Sequence, residues 1–158
     1  MRAAFKPLLF AAMQADPRLI LLTADLGYGF LDRIRDELPA QFINTGSAEA
    51  VMLGVASGLA LSGRIPICHS ITPFLLWRPA EQLRLYLSGE QIPVKLLGSG
   101  RDWDYGPGDL SHYAGDDRAL LAALPNIRAY WPETEAELPA TLHAWLTNGQ
   151  PSYLNLRR

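Results

Sequence analysis

Short apolar runs alternate with segments of helical periodicity along the whole of this chain. The strand-like segments are residues 19–23, 41–44, 65–69, 94–98, 127–131 and 152–156. The helical segments are residues 3–15, 30–37, 48–62, 73–88, 116–123 and 133–148. The runs at 19–22 and 94–97 are almost continuously apolar, as is typical of strands covered on both faces of a parallel sheet. The alternation predicts an α/β fold, a three-layer sandwich whose mostly parallel sheet has about six strands.

Length and charge narrow the class of protein. The chain has 158 residues, a net charge of -2 and no run of Lys or Arg. The length predicts one domain over residues 1–158, and the charge argues against nucleic acid or an anionic membrane as a partner. No segment is apolar enough to predict a membrane span, and the N-terminus lacks the pattern of a signal peptide. The only cysteine, Cys68, cannot form an internal disulfide and is typical of a cytoplasmic protein.

One charged residue stands out by its surroundings. Glu49 is the only charged residue between Glu37 and Arg64, and the helical segment after it is small or apolar on every side. That composition predicts a helix packed on all faces. A buried carboxylate costs several kcal/mol unless it is paired or hydrogen-bonded, which favours a functional role. The alternative is a charge favoured by the helix dipole, by about 0.3–1 kcal/mol. Neither interpretation is excluded by this segment alone.

A long loop interrupts the alternation. Residues 99–112 are rich in glycine, aspartate and aromatic residues, and they follow the predicted strand 94–98. Ligands of open α/β sheets bind beyond the carboxyl ends of the strands, where this loop would begin. Long loops in compact domains are usually functional or disordered, and the aromatic residues argue against disorder. We therefore predict that the segment is a site loop.

Several short motifs of this chain resemble, in the same order, the motifs of a known enzyme family. Residues 42–49, Phe-Ile-Asn-Thr-Gly-Ser-Ala-Glu, with Met52 and Gly54, resemble the F-I-N-x-G-x-A-E…M-x-G segment of transketolase-like thiamine-diphosphate enzymes. Further matches are Ala-Asp-Leu at 24–26, Pro-Phe-Leu at 73–75 with Arg78 to Arg84, Tyr-Gly-Pro at 105–107 with His112, and Leu-Pro-Asn at 124–126. The similarity spans essentially the whole chain, and it is to the pyrimidine-binding domain of that family.

The resemblance implies half of an active site. The diphosphate-binding (PP) domain, with its Gly-Asp-Gly signature, has no counterpart here, and neither has the C-terminal domain that follows in the family. The family's site lies between the PP domain of one protomer and the pyrimidine-binding domain of another. We therefore expect a split transketolase whose partner subunit carries the PP domain, with two copies of each chain. The expected cofactor is thiamine diphosphate, with Mg²⁺ or Ca²⁺ held by the partner and no metal ligands in this chain.

The resemblance also implies residues that bind the cofactor. A glutamate at the position of Glu49 hydrogen-bonds a ring nitrogen of the cofactor's aminopyrimidine and is catalytic. Phe74 and Trp77 correspond to positions that stack around that ring, and Ile71 stands where the family has a further aromatic residue. Asp25 matches an acidic position near the cofactor. A helix N-cap would explain Asp25 nearly as well.

Other positions correspond to substrate contacts. His112 matches a catalytic histidine that contacts an oxygen of the reacting sugar. Arg2 and Arg158 align with arginines that bind the sugar phosphate. Arg101 could replace a phosphate-binding histidine that the chain lacks. His69 could reach the substrate, with a structural role as the alternative.

Three functions follow from these expectations. The leading one is transfer of a two-carbon ketol unit between a ketose and an aldose, in a complex with the PP-domain partner. The alternatives are the β-type subunit of a 2-oxo-acid decarboxylase or dehydrogenase, and a degenerate module without catalytic function. Retention of Glu49 favours an enzyme.

Overall fold

A parallel sheet forms the centre of residues 1–107 and 110–158, which the computed structural model describes. Within these residues its six strands are β1 (Leu19–Thr23), β2 (Phe42–Asn44), β3 (Ile65–Ile71), β4 (Lys95–Ser99), β5 (Arg128–Tyr130) and β6 (Ser152–Leu156). Every neighbouring pair is parallel, in the order β2-β1-β3-β4-β6-β5. The predicted α/β fold is confirmed, because the apolar runs form strands buried on both faces.

Helices connect the strands and cover both faces of the sheet. The α-helices are α1 (Arg2–Ala15), α2 (Asp32–Glu37), α3 (Glu49–Leu61), α4 (Thr72–Trp77), α5 (Ala80–Gln82), α6 (Asp117–Ala122) and α7 (Leu138–Thr147). A π-helical segment spans Leu83–Gly89, and 3₁₀ turns span Pro39–Gln41, Leu110–His112 and Glu135–Glu137. Among these residues no helix is both long and apolar enough to pass through a membrane.

Two hydrophobic clusters fill the spaces between the layers. One contains Ile20 and Leu22 of β1 with buried residues of α3, α4 and α6. The other contains Leu19 and Leu21 of the same strand with buried residues of α1, α2 and α7. This alternation follows from the period of two along a strand, which sends successive side chains to opposite faces. Each strand residue is thereby assigned to the α3 side or the α1 side of the sheet.

The helical segment predicted at residues 73–88 is broken in the structure. α4 ends at Trp77, α5 covers Ala80–Gln82, and the π-helical turns follow from Leu83. The break falls at Pro79, whose nitrogen has no hydrogen to donate to the preceding turn. The break leaves Arg78, the residue that follows α4, next to the end of the sheet where Glu49 lies.

The carboxyl edge of the sheet contains the point where the strand order reverses. β1 lies between β2 and β3, so the chain leaves β1 in one direction and crosses back to β3. Such switch points leave a crevice beyond the carboxyl ends of the strands. α3 begins at Glu49 after β2, and Ser70 and Ile71 end β3 at the same edge. The sequence segments singled out above therefore meet at one edge.

Candidate active site

Glu49 lies in the first turn of α3 and is 2 % exposed. Ser70 of β3 donates its hydroxyl hydrogen to Oε1 at 2.9 Å, and Arg78 donates from Nη1 to Oε2 at 2.8 Å. Both carboxylate oxygens therefore have a polar partner, which offsets part of the cost of burial. α3 packs on β3, and this contact brings Ser70 beneath the start of the helix. The structure thus shows a buried carboxylate that accepts two hydrogen bonds at the carboxyl edge of the sheet.

Arg78 is a site residue that the sequence analysis did not identify. Its guanidinium lies 3.8 Å from the centre of the Phe74 ring while it pairs with Glu49, and its side chain is 47 % exposed. A sequence signal for it existed. Arg78 is the only Lys, Arg, Asp or Glu between Arg64 and Glu81, as Glu49 is between Glu37 and Arg64. Glu49 and Arg78, the two isolated charges on either side of Arg64, thus pair with each other.

Aromatic contacts continue the site from Phe74 to the loop after β4. The Phe74 and His112 rings meet edge to face with centroids 5.0 Å apart, and His112 lies 5.7 Å from the Tyr105 ring. The Tyr105 hydroxyl is 2.9 Å from Oγ of Ser99, at the end of β4. The structure brings Phe74 and His112, which the resemblance assigned separately to cofactor and substrate, into contact with each other, and adds Tyr105. Asp109, in the same loop, lies outside the described residues.

Two arginines from opposite ends of the chain border the same edge. Arg2 donates from Nη1 to Oγ of Ser99 at 3.2 Å, and the Arg158 guanidinium lies 4.9 Å from the centre of the Tyr105 ring. With Lys6, both arginines line a cavity of about 400 Å³. Arg2 and Arg158, two of the residues predicted to bind phosphate, therefore lie together at a basic end of this edge, joined to Glu49 through the contacts of Tyr105, His112, Phe74 and Arg78.

Three predicted cofactor residues lie around this centre in different settings. Ile71 is buried at the end of β3, immediately before α4. Trp77 is 54 % exposed at the end of α4. Asp25 is exposed, has a φ of 56° and accepts a hydrogen bond from the Tyr28 hydroxyl at 2.6 Å. This bond, followed by one from Asn44, lowers the pKa of the Asp25 carboxyl. The N-cap interpretation of Asp25 is wrong, because α2 begins at Asp32 and its N-cap is Leu31.

Arg101 is held inside the protein instead of facing the site. It is 6 % exposed and donates to Oδ1 and the carbonyl of Asn155, to the carbonyl of Pro132 and to Oε1 of Glu133. Four donor contacts within the chain leave little capacity for a ligand. This geometry disfavours the substrate contact predicted for Arg101 and gives the residue a structural role.

His69 lies on the other side of the sheet from Glu49. Its neighbour Ser70 contacts Glu49 on the α3 side, whereas the His69 ring lies 5.3 Å from that of Phe30 on the α1 side. Nδ1 lies 3.0 Å from the carbonyl oxygen of Leu97, and burial lowers the pKa of the imidazole to about 4. At neutral pH His69 is therefore uncharged, with Nδ1–H donating to that carbonyl. This environment matches the structural alternative for His69 better than a substrate contact.

An apolar surface extends from the site along α3. The exposed large hydrophobic side chains of α3, of the end of α4 and of the π-helical segment are Val51, Val55, Leu61, Trp77, Leu85 and Tyr86. Gly54 and Gly58 lie between them and are exposed as well. The expectation that α3 is packed on all faces is therefore wrong within this chain. One stripe of the helix stays uncovered, although its residues are as apolar as the buried ones, as at protein interfaces.

Comparison with known proteins agrees with this geometry. The family described as the pyrimidine-binding domain of transketolase matches residues 1–158. The chain belongs to this family. It is 32 % identical over 159 residues to the 6-deoxy-6-sulfo-D-fructose transketolase subunit of Clostridium sp. strain MSTE9, covering 100 % of this chain and 49 % of that protein. It is 30 % identical over 120 residues to one subunit of the apulose-4-phosphate transketolase of Actinobacillus succinogenes, covering 76 % of this chain and 39 % of that one.

A solved structure shares the fold of this pyrimidine-binding domain. The inactive beta4 tetramer of a split-gene transketolase superimposes with a TM-score of 0.86 at 28 % identity, over 99 % of this chain and 50 % of that one. The chain spans half the length of these relatives or less. The resemblance that the motifs predicted is confirmed for the whole of residues 1–158.

Proposed function

We propose that this chain is the pyrimidine-binding subunit of a split, thiamine-diphosphate-dependent transketolase-like enzyme. The enzyme transfers a two-carbon ketol unit from a ketose to an aldose. The observation that carries the proposal is Glu49, a buried carboxylate held by Ser70 and Arg78 at the carboxyl edge of the sheet. A charge buried at such cost is typical of a functional site.

The side chains around Glu49 fit an aminopyrimidine. Glu49 offers a carboxylate to a ring nitrogen, and the half-buried ring of Phe74 offers a flat apolar face beside it. When bound, thiamine diphosphate supplies a nucleophilic carbon and an electron sink for two-carbon transfer. Glu49 then holds a proton between its carboxylate and that ring nitrogen. Ser70 fixes one oxygen of the carboxylate, and Arg78 compensates its charge.

Ile71, Trp77 and Asp25 complete the proposed cofactor pocket. Ile71 supplies an apolar wall that excludes water where it is buried at the end of β3. Trp77 is half exposed, so its ring is free to contact the cofactor where the partner subunit closes the site. Asp25 follows β1, and the strand paired with β1 is β2, after which α3 begins at Glu49. These three roles remain proposals that rest on position.

The proposed substrate side runs from His112 to the two terminal arginines. His112 contacts Phe74 and Tyr105, so a hydrogen bond from its imidazole would reach a substrate oxygen between cofactor and loop. Arg2 and Arg158 would bind an anionic group at the far end of the sugar. Two relatives are named for a sulfonated and a phosphorylated sugar, and both groups suit guanidinium donors. We propose a ketose or aldose that carries such a group.

A partner subunit with a PP domain would complete the site. The exposed stripe of α3 with Val51 and Val55 begins within one turn of Glu49 and offers an apolar surface of the kind that interfaces bury. The proposed assembly has two copies of each chain in the cytoplasm, to which the single buried Cys68 is suited. The partner would hold Mg²⁺ or Ca²⁺ against the diphosphate.

Calorimetric titration of thiamine diphosphate with Mg²⁺ tests this proposal. The titrant is added to the chain alone, to a candidate PP-domain chain alone and to their mixture. Tight binding in the mixture only is expected, followed by two-carbon transfer from a ketose. Transfer from a 2-oxo acid in preference to a ketose would favour the decarboxylase or dehydrogenase alternative. Cofactor binding without turnover of either donor class would favour a non-catalytic module.

A further inference from the structure

A second cavity lies at the amino ends of the strands, the opposite edge of the sheet from Glu49. Its volume is about 640 Å³, within the range of about 300–1,000 Å³ typical of small-molecule sites. Leu8 and Ala12 of α1 and Leu142 and Leu146 of α7 form its walls, and the first residues of β1, β3 and β4 form its floor. The cleft is therefore largely apolar and is open to solvent between two helices.

The charged residues of this cleft are not balanced. Arg18 and Asp16 pair with each other at 2.7 Å, so their charges cancel. Lys95, the first residue of β4, is 1 % exposed and donates from Nζ to Oδ1 of Asn148 at 2.5 Å and to the carbonyl of Gln150 at 2.7 Å. Both acceptors are neutral. Among residues 1–107 and 110–158, no carboxylate lies within 4 Å of the Lys95 ammonium.

Arg64 adds a second cation without a counterion. It precedes β3 at the rim of the cleft, and its contact through Nη1 is with the carbonyl of Pro17 at 3.4 Å. In the described part of the chain no carboxylate lies within ion-pair distance of it. An apolar cleft lined by two positive charges that lack a carboxylate partner in the described residues is complementary to a molecule that has an apolar body and one anionic end.

We propose that this cleft binds a small amphiphilic carboxylate, with its alkyl or aryl body between α1 and α7 and its carboxylate toward Lys95 and Arg64. The bound anion would supply the counterion that the protein lacks. Burial lowers the pKa of the Lys95 ammonium to about 8, so the residue is mostly charged at neutral pH. A bound anion would stabilise this charged form. The proposal concerns a site at the other end of the sheet and does not depend on the proposed enzymatic function.

Titration with octanoate and 1-octanol tests the proposal. The two probes share an apolar body, and only octanoate carries a charge. Heteronuclear NMR on the full chain should show saturable shifts for octanoate at Leu8, Lys95 and Leu146, with binding of octanol about tenfold weaker. Equal affinity for the two probes, or the absence of saturation at millimolar octanoate, would overturn the proposal.

Variants locate the two ends of the probe. Arg64→Gln should weaken octanoate about tenfold and leave octanol unchanged, whereas Arg84→Gln, an exposed arginine outside the cleft, should change neither. Ala11→Trp fills the cleft from an exposed position of α1 and should abolish binding of both probes, with far-UV circular dichroism unchanged. Glu49→Gln should retain octanoate binding, which separates this site from the proposed active site.

Sedimentation of the same variants distinguishes a different occupant. If a second copy of the chain covers the cleft, Ala11→Trp will dissociate an oligomer that octanoate fails to bind. That result would overturn the small-molecule site. Octanoate binding with an unchanged sedimentation coefficient is the expected outcome.

Discussion

Glu49 and Lys95 are buried charges at opposite edges of one sheet, and they differ in the charge of their partners. Glu49 has a hydroxyl and an oppositely charged guanidinium as partners. Lys95 has only an amide oxygen and a carbonyl oxygen. Burial alone therefore does not define the chemistry of a charged residue. The partners also differ in their setting: Arg78 has a half-exposed side chain, whereas the partners of Lys95 belong to the segment between α7 and β6.

This difference separates the proposed active site, whose buried charge is paired, from a cleft whose buried charge lacks a counterion. The Glu49 edge carries a connected series of polar and aromatic contacts that reaches Arg2 and Arg158. The Lys95 edge carries an apolar cleft with excess positive charge. Measurements on variants at each edge test this contrast.

The largest expected effect on stability concerns Lys95. The unfolded chain holds this proton up to about pH 10.5, whereas the folded chain releases it above about pH 8. The unfolded state therefore binds more protons in that interval, and stability rises with pH across it. Relative to Lys95→Met, the free energy of unfolding of the wild type should increase by roughly 3 kcal/mol from below pH 8 to above pH 10.5.

Urea unfolding of both proteins at several pH values measures this difference. Subtracting the variant removes the titration of groups that both proteins share. A difference that stays constant with pH would show that Lys95 keeps its ordinary affinity for protons. The contrast with Glu49 would then be wrong.

Arg101 offers a third buried charge, one with several partners inside the protein. Arg101→Met removes the bonds to Asn155, Pro132 and Glu133 and should lower the free energy of unfolding by roughly 2 kcal/mol. Arg157→Met is the matched control, because exposed Arg157 also approaches Glu133, at 4.0 Å. The control should change stability by less than about 0.5 kcal/mol. Equal effects in the two variants would contradict the structural role of Arg101.

The apolar stripe of α3 should affect association more than folding. Val55→Lys places a charge in that stripe, where Val55 is 39 % exposed. We expect binding of the PP-domain partner to weaken about tenfold or more, with the stability of the isolated chain changed by less than about 0.5 kcal/mol. Ala144→Lys, on the exposed side of α7, is the control. Surface plasmon resonance with wild-type affinity for Val55→Lys would exclude this stripe as the interface.

The sheet was predictable because each strand signal is local. Residues 19–23 and 152–156 were predicted with the bounds that β1 and β6 have. For β1 the run of apolar residues is sufficient to indicate a strand covered on both faces, whereas β6 contains the buried polar residues Ser152 and Asn155. The segment at 73–88 was not predicted correctly, because Pro79 divides a pattern whose periodicity continues across it. Local periodicity does not record the hydrogen bond that a proline removes.

A site residue was predictable where it is an isolated charge in an otherwise uncharged segment of the sequence. Glu49 stands out as an isolated charge, and the same criterion finds Arg78. Arg101 shows the limit. Its burial depends on Asn155, 54 residues away, and only the pairing of β4 with β6 brings the two together. The same holds for the contact of Phe74 with His112, since no local pattern encodes a contact between two distant segments.

The proposed function requires that the Glu49 carboxylate activates the cofactor in the assembled enzyme. The test is the turnover number of Glu49→Gln in complex with the PP-domain partner. The control is Glu81→Gln, which alters an exposed glutamate of α5. We expect turnover to fall about 10²–10⁴-fold in Glu49→Gln, with unchanged circular dichroism, and to stay at the wild-type value in Glu81→Gln. Turnover of Glu49→Gln within about twofold of the wild type would contradict the account, because general acid–base catalysis by this carboxylate would then be dispensable.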